Sequence, residues 1–302
     1  MRIPSVKIMA TAIVALAVGA ASIGTADATP ARFAITARPA TNAVRVAWPS
    51  AGQAAVSVTG YGDLASSGSA RPAPIASMAK IMTAYLILIH HPLAPATRGF
   101  TMTITAAQVK DTALRAKLDE SLVPVKVGEK LTERQALAAL LLPSANNVAA
   151  ILAQFDAGSI DAFVALMNFH ARQLGMTHTR YTDPSGYLAS TVSTAHDQLI
   201  LAKAAMGNPA FANFVALKHA TVPVAGLIQN TDRLLGTDGF VGIKTGSDDA
   251  AGGCFAFRSI HLVNGRKIVV TGVVMGQRNG PILSAAFLAT QHLVDVIFAH
   301  KL

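Results

Sequence analysis

The hydrophobic pattern of this chain places strand-like ends around a helical centre. Val44 to Trp48 and Ala54 to Thr59 are short β-branched runs and predict strands. Gly60 to Pro74 is polar and rich in Gly and Ser, and predicts a loop. Ser77 to His90 reads as an apolar helix, opened by Ser77 and stopped before Pro92. Thr132 and Gln135 stand at capping-box spacing and open a helix that breaks at Pro143. Helical spacing resumes over Asn147 to Phe155, and again from Ile160 to Leu174, where Gly175 ends it. Thr194 to Met206 is a further helix, closed by Gly207-Asn208-Pro209.

The last third returns to strands. Gly239 to Lys244 is one; Gly253 to Leu262 and Lys267 to Met275 flank Asn264-Gly265, a strong hairpin signal. Pro281 to Ala299 predicts a closing helix with proline in its first turn. The expected fold class is α/β (α+β). One antiparallel sheet is built from both chain ends and covered by helices, with an all-helical subdomain inserted.

Residues 1–28 stand apart from this pattern. Arg2 and Lys7 precede an apolar run from Ile8 to Ile23, and Ala26-Asp27-Ala28 closes it, which predicts a secretory signal peptide cleaved after Ala28. The protein is therefore expected to be exported, to the periplasm or another extracytoplasmic part of the envelope. Membrane contact is expected only if that segment stays uncleaved, because no other stretch reads as a span. Residues 29–43, rich in Ala, Pro and Thr, form a leader into a domain over 44–302.

Composition narrows the class. At 302 residues, 52% hydrophobic and 14% charged, the chain has material for a substantial core and is too apolar for disorder. Its formal charge of +9 becomes +8 without Arg2, Lys7 and Asp27. A basic exported protein suits anionic surfaces. No basic cluster carries interleaved aromatics, so nucleic acid is not an expected partner. Cys254 is the single cysteine, which excludes an intramolecular disulfide and a cysteine zinc cluster; its apolar surroundings predict a buried structural thiol. The histidines lack ligand spacing, so no metal is expected, and His196 reads as a packed or surface residue. Gly60-Tyr61-Gly62-Asp63-Leu64-Ala65 superficially fits a dinucleotide loop, but no helix follows it.

The chemistry lies in three motifs, each the only match to its pattern: Ser77-Met78-Ala79-Lys80, Ser144-Ala145-Asn146 and Lys244-Thr245-Gly246. Their order and predicted settings suit one mechanism. Residues i and i+3 share a helix face, so Lys80 can reach the Ser77 hydroxyl and act as its base. Burial and a second cation such as Lys244 would lower the Lys80 pKa towards the neutral form this needs. Ser144 can relay a proton to a departing amine, and Asn146 offers an amide donor and acceptor. Lys244 and Thr245 would bind a terminal carboxylate, and Gly246 would admit close approach to the backbone. The amides of Ser77 and Ser247 are the candidate oxyanion donors.

With these residues placed, the chain resembles the D-alanyl-D-alanine carboxypeptidases, the low-molecular-mass serine penicillin-binding proteins. The likeness runs from about Val44 to the last helix. It includes Leu140 to Asn147, Met167-Asn168, Leu174-Gly175-Met176, Asp183-Pro184-Ser185-Gly186 and Ala251-Gly252-Gly253-Cys254. The resemblance implies an acyl-enzyme on Ser77, peptidoglycan stem peptides ending in D-Ala-D-Ala as substrates, β-lactams as covalent inhibitors and no cofactor. An endopeptidase, a β-lactamase and a catalytically silent penicillin-binding protein are the rival readings. The second motif departs from the family's frequent Ser-Gly-Asn-Asp, reading Ser144-Ala145-Asn146-Asn147, from which altered tuning is expected. The chain's end at Leu302 argues against a C-terminal membrane tether.

Overall fold

Both ends of the chain meet in one sheet in the computed structural model, which describes residues 44–299. In chain order the first elements are β1 (Gln53–Val58), β2 (Gly62–Ser67), β3 (Ala73–Pro74), a 3-10 turn (Ala76–Ala79) and α1 (Lys80–His90). There follow β4 (Thr101–Thr103), α2 (Ala106–Ala116), β5 (Lys130–Thr132), α3 (Glu133–Leu141), α4 (Asn146–Ala157) and α5 (Ile160–Gln173). Next come β6 (Val192–Ser193), α6 (Ala195–Met206), α7 (Pro209–Val215), β7 (His219–Val222) and β8 (Gly226–Gln229). The chain closes with β9 (Phe240–Asp248), β10 (Gly252–Val263), β11 (Arg266–Gln277) and α8 (Ile282–Ala299).

The main sheet has the order β2-β1-β11-β10-β9 and is antiparallel throughout. The hairpin β10–β11 forms where Asn264-Gly265 predicts it. Both turn residues have positive φ, 51° and 73°, the backbone that a tight two-residue hairpin demands. Alternation along β10 then sends Phe255 and Phe257 to one face and Cys254 and Ala256 to the other. The first face packs under α8 through Ala286, Phe287, Leu293, Val294 and Ile297. The second packs against the helical centre, with Met78, Ile81 and Leu201 in the same cluster. Truncating a ring as buried as Phe257 costs about 3–5 kcal/mol.

Several expectations change. Val44 to Trp48 joins no strand; Val44, Val46 and Trp48 instead pack on the α8-side core, so their apolar character records burial rather than pairing. The predicted loop Gly60 to Pro74 contains β2, an edge strand too polar to announce itself. The inserted part is mainly helical but carries the ribbons β4–β5 and β7–β8. Its helix α2 has a capping box between Thr105 and Gln108 that the pattern did not single out. Helix α8 is long and apolar enough to cross a membrane, contrary to the expectation that no later stretch is, yet one face of it lies on the sheet. The signal peptide over 1–28 and the leader over 29–43 lie outside the described residues.

Candidate active site

Ser77 does not open an α-helix. It sits in the 3-10 turn Ala76–Ala79, whose N-cap, Ile75, makes no side-chain cap. In such a turn, residues i and i+3 nearly eclipse. Lys80 Nζ accordingly lies 2.8 Å from Ser77 Oγ, and its second bond goes to the Ser185 carbonyl at 2.9 Å. Lys80 is fully buried. Burial holds its pKa well below the usual lysine range, and Lys244 adds to the effect, while Asp183 and Glu120 oppose it. A lysine in this setting can be neutral and can take a proton from the hydroxyl.

The loop that receives Lys80 is held by one carboxylate. Asp183 accepts from Ser185 N at 3.1 Å, Ser185 Oγ at 2.6 Å, Tyr187 N at 3.0 Å and Thr191 Oγ1 at 2.6 Å. Thr83, one turn beyond Lys80, donates to the Pro184 carbonyl at 2.6 Å. Gly186 has φ 78°, and a methyl group there would collide with the Ala76 carbonyl, so glycine lets the loop close on the serine turn. In sequence Asp183 is marked only by the family-like segment Asp183-Pro184-Ser185-Gly186, and a β-lactamase would need such a carboxylate free to activate water. Its oxygens are spent on the loop instead.

The second motif is a turn between α3 and α4. Ser144 adopts φ 67°, a left-handed conformation that costs a non-glycine residue about 1 kcal/mol. Its Oγ is buried and has no hydrogen-bond partner, and the same holds for Asn146 Oδ1. Asn146 is the first residue of α4; its amide nitrogen donates to Glu120 at 2.8 Å. Asn147 faces the other way, accepting from Val123 N at 3.3 Å and donating to Val123 O at 2.8 Å. This two-way bonding uses an amide's donor and acceptor together, a physical reason for asparagine at that position.

The third motif lies on β9, a sheet edge. Lys244 is buried and donates to the Thr245 carbonyl at 3.0 Å. Burial takes its pKa down to about 7, with Asp232 pulling the other way. Asp232 is itself raised to about 6 by burial. Thr245 Oγ1 is 2.6 Å from Thr231 Oγ1, and the Thr231 amide donates to the Leu142 carbonyl at 3.1 Å. One threonine thus ties the third motif to the segment that carries Ser144. A methyl group on Gly246 would meet Ile75 O at 3.0 Å and the amides of Ser77 and Met78 at 3.1 Å. The glycine therefore admits the serine turn itself, a role beyond the ligand approach expected of it. Ser247 is exposed and pairs with Gly253.

The structure brings Ser77, Lys80 and Gly246 into one corner and sets Lys244 within electrostatic reach of Lys80. Glu120, Arg115, Thr231 and Asp232 have no spacing signal and emerge only here, and Ser185, named in sequence only within a family-like segment, gains its bond to Lys80 here. Among the described residues, no group of three or more His, Cys, Asp or Glu could hold a metal. Cys254 is buried, with its thiol pushed up to about 12.

Comparison with known proteins finds likeness in both sequence and fold. A family model described as D-alanyl-D-alanine carboxypeptidase matches residues 59–279. A D-alanyl-D-alanine carboxypeptidase of Mycobacterium tuberculosis is 41% identical over 155 residues, covering 49% of this chain and 52% of that protein. A D-alanyl-D-alanine endopeptidase of Pseudomonas aeruginosa is 31% identical over 195 residues, covering 62% and 59%. This chain thus spans little more than half the length of those relatives. Among solved structures, a mutant of the Streptomyces K15 DD-transpeptidase superposes with a TM-score of 0.72 at 26% identity, over 82% of this chain and 98% of that one. A penicillin-binding protein homologue from Mycobacterium tuberculosis gives 0.69 at 31% identity, over 85% and 94%.

Proposed function

The chain belongs to the D-alanyl-D-alanine carboxypeptidase family, and from that premise we propose that it is an exported serine peptidase removing the terminal D-alanine from peptidoglycan stem peptides. The observation that carries the reading is the buried Lys80 amine 2.8 Å from Ser77 Oγ. Lys80 takes the Ser77 proton as Oγ attacks the penultimate carbonyl carbon. The amides of Ser77 and Ser247 hold the resulting oxyanion. When the intermediate collapses, the C–N bond breaks and the proton on Lys80 passes through Ser144 to the leaving D-alanine. Water then attacks the Ser77 ester, giving the shortened peptide and restoring the hydroxyl. β-Lactams acylate the same serine by the same first step.

Carboxypeptidase rather than endopeptidase action is favoured by Lys244 and Thr245, whose cation and hydroxyl suit a free terminal carboxylate at the edge of β9. The β-lactamase reading loses support because Asp183 is fully engaged in its own loop. Incubation with a penicillin, followed by mass spectrometry beside a Ser77→Ala control, is the test. One lasting adduct on Ser77, with D-alanine released from a D-Ala-D-Ala peptide, is the expected result. Rapid drug turnover without an adduct would point to a β-lactamase, and release of peptide only from cross-linked dimers to an endopeptidase.

A further inference from the structure

We propose that the cleft between the start of α3 and β7 is a second binding site, and that it takes a small organic oxyanion: a carboxylate or phosphate head on an apolar body.

The cleft has a volume of about 410 Å³, within the range of pockets that hold small molecules. Its walls come from the loop before β4, from α3, from the end of α7 and from β7. None of these elements carries Ser77, Lys80 or Lys244. Helix α3 has nine residues, so it is about 13 Å long and separates the cleft from the Ser144 turn.

Two arginines set the head group. Arg134 is fixed before any ligand arrives: Nε donates to the Thr97 carbonyl at 2.7 Å and Nη2 to the Ala94 carbonyl at 3.3 Å. Its guanidinium carbon also stands 5.6 Å from the centre of the Phe214 ring, a cation–π contact. Those bonds leave Nη1 unused. Arg98 is exposed, and among the described residues nothing bonds or pairs with its side chain. Its carbonyl accepts from the Arg134 amide at 3.2 Å, which keeps the two residues together. Among the described residues no acid lines the cleft. Glu133, beside Arg134 in sequence, is buried against Gly99, and burial pushes its carboxyl up, which weakens its hold on the cations. Guanidinium groups with uncommitted N–H bonds suit the paired oxygens of a carboxylate or phosphate.

The rest of the lining sets the body of the ligand. Ala138, Phe214 and Ala220 contribute apolar atoms, and Leu217 remains 39% exposed beside them. A bare inorganic anion would leave that surface in water. A wholly apolar molecule would strip water from the arginines and replace none of its hydrogen bonds. A molecule with both parts matches both sets of groups.

NMR titration of the isotope-labelled protein tests this with 3-phenylpropanoate and phenyl phosphate, two probes that share an aromatic body and differ in the head. At least one should shift the amides of Arg98, Arg134, Leu217 and Ala220 with a Kd of about 1 mM or tighter, as expected of ligands this small. Benzyl alcohol and inorganic phosphate, which each offer half of the required chemistry, should bind at least about tenfold more weakly. Arg98→Ala should weaken both probes by about the same factor, and because Arg98 is exposed its loss leaves the core intact. Arg134→Lys keeps the charge without the fork and should weaken them too. No shift at these amides up to about 10 mM of either probe overturns the inference. So does undiminished binding in both variants, or inorganic phosphate binding as tightly as phenyl phosphate. Shifts that disappear once penicillin has acylated Ser77 would put the probe in the peptidase site and overturn it as well. The tighter of the two probes identifies the head as carboxylate or phosphate.

Discussion

Gly246 and Ser77 touch through their backbones: a methyl group placed on the glycine would stand 3.1 Å from the serine amide nitrogen. The edge strand and the nucleophile turn are therefore spaced by the absence of one side chain. Gly246→Ala should push the two apart by a few tenths of an ångström. Penicillin acylation should slow about 10–100-fold while thermal stability drops only modestly, because misplacement of a nucleophile is costly out of proportion to its size. Stopped-flow acylation and a thermal melt on the same sample check this; an unchanged acylation rate would mean that the spacing does not matter.

Lys80 is the proposed base for Ser77. Lys80→Ala should reduce acylation of Ser77 by a factor of about 10²–10⁴, the usual worth of a positioned base, with the fold retained. Adduct formation followed by mass spectrometry, with circular dichroism as control, measures both. Full activity in this variant would remove Lys80 from the mechanism.

The pH profile of kcat/KM should be bell-shaped. The rising limb reports loss of the proton from Lys80, displaced well below the ordinary lysine range by burial and by Lys244. The falling limb should begin near pH 7, where Lys244, proposed to bind the substrate carboxylate, loses its charge. Lys244→Arg keeps its charge and should carry activity to higher pH. A falling limb that stays in place in Lys244→Arg would assign it to another group.

Stability should vary with pH in two opposite senses. Lys244 folds with its pKa lowered from 10.5 to about 7, so between those values the unfolded chain binds more protons and stability rises with pH. Asp232 is raised from 3.8 to about 6, so over that lower window the folded chain binds more protons and stability falls as pH rises. Urea titrations should show a smaller upper slope in Lys244→Met, the remainder coming from Lys80, with about 2 kcal/mol gained at pH 7, and a smaller lower slope in Asp232→Asn. Slopes left unchanged by both substitutions would exclude these groups as a source.

The Asp183 loop should be a stability element. Asp183→Ala removes an acceptor of four hydrogen bonds and should cost about 3 kcal/mol, displacing the Ser185 carbonyl from Lys80. Asp183→Asn should leave hydrolysis of a penicillin adduct as slow as before. A marked further slowing would make Asp183 the deacylating base that the geometry argues against.

Much of this site is legible in the chain because its parts are local. Ser77 and Lys80 are three residues apart, so one turn of helix joins them whatever lies around it. Pro143 stops α3 just before Ser144, and Asn264-Gly265 fixes the hairpin by its backbone preference. The alternation of strand, helix and strand likewise follows from hydrophobic periodicity, which each segment carries by itself.

Other features are set by contacts between distant segments and leave no mark on local pattern. β2 is polar because it lies at an edge, and Val44 to Trp48 is apolar because it covers a core; only packing separates the two cases. The grip of Glu120 on Asn146 spans 26 residues, and that of Ser185 on Lys80 spans 105. Sequence alone determined which groups could do the chemistry, since residue type and short spacing fix reactivity. The tertiary structure decided their charge and placement, because burial and neighbouring ions set a lysine's proton affinity, and a distant carboxylate holds one N–H of the Asn146 amide.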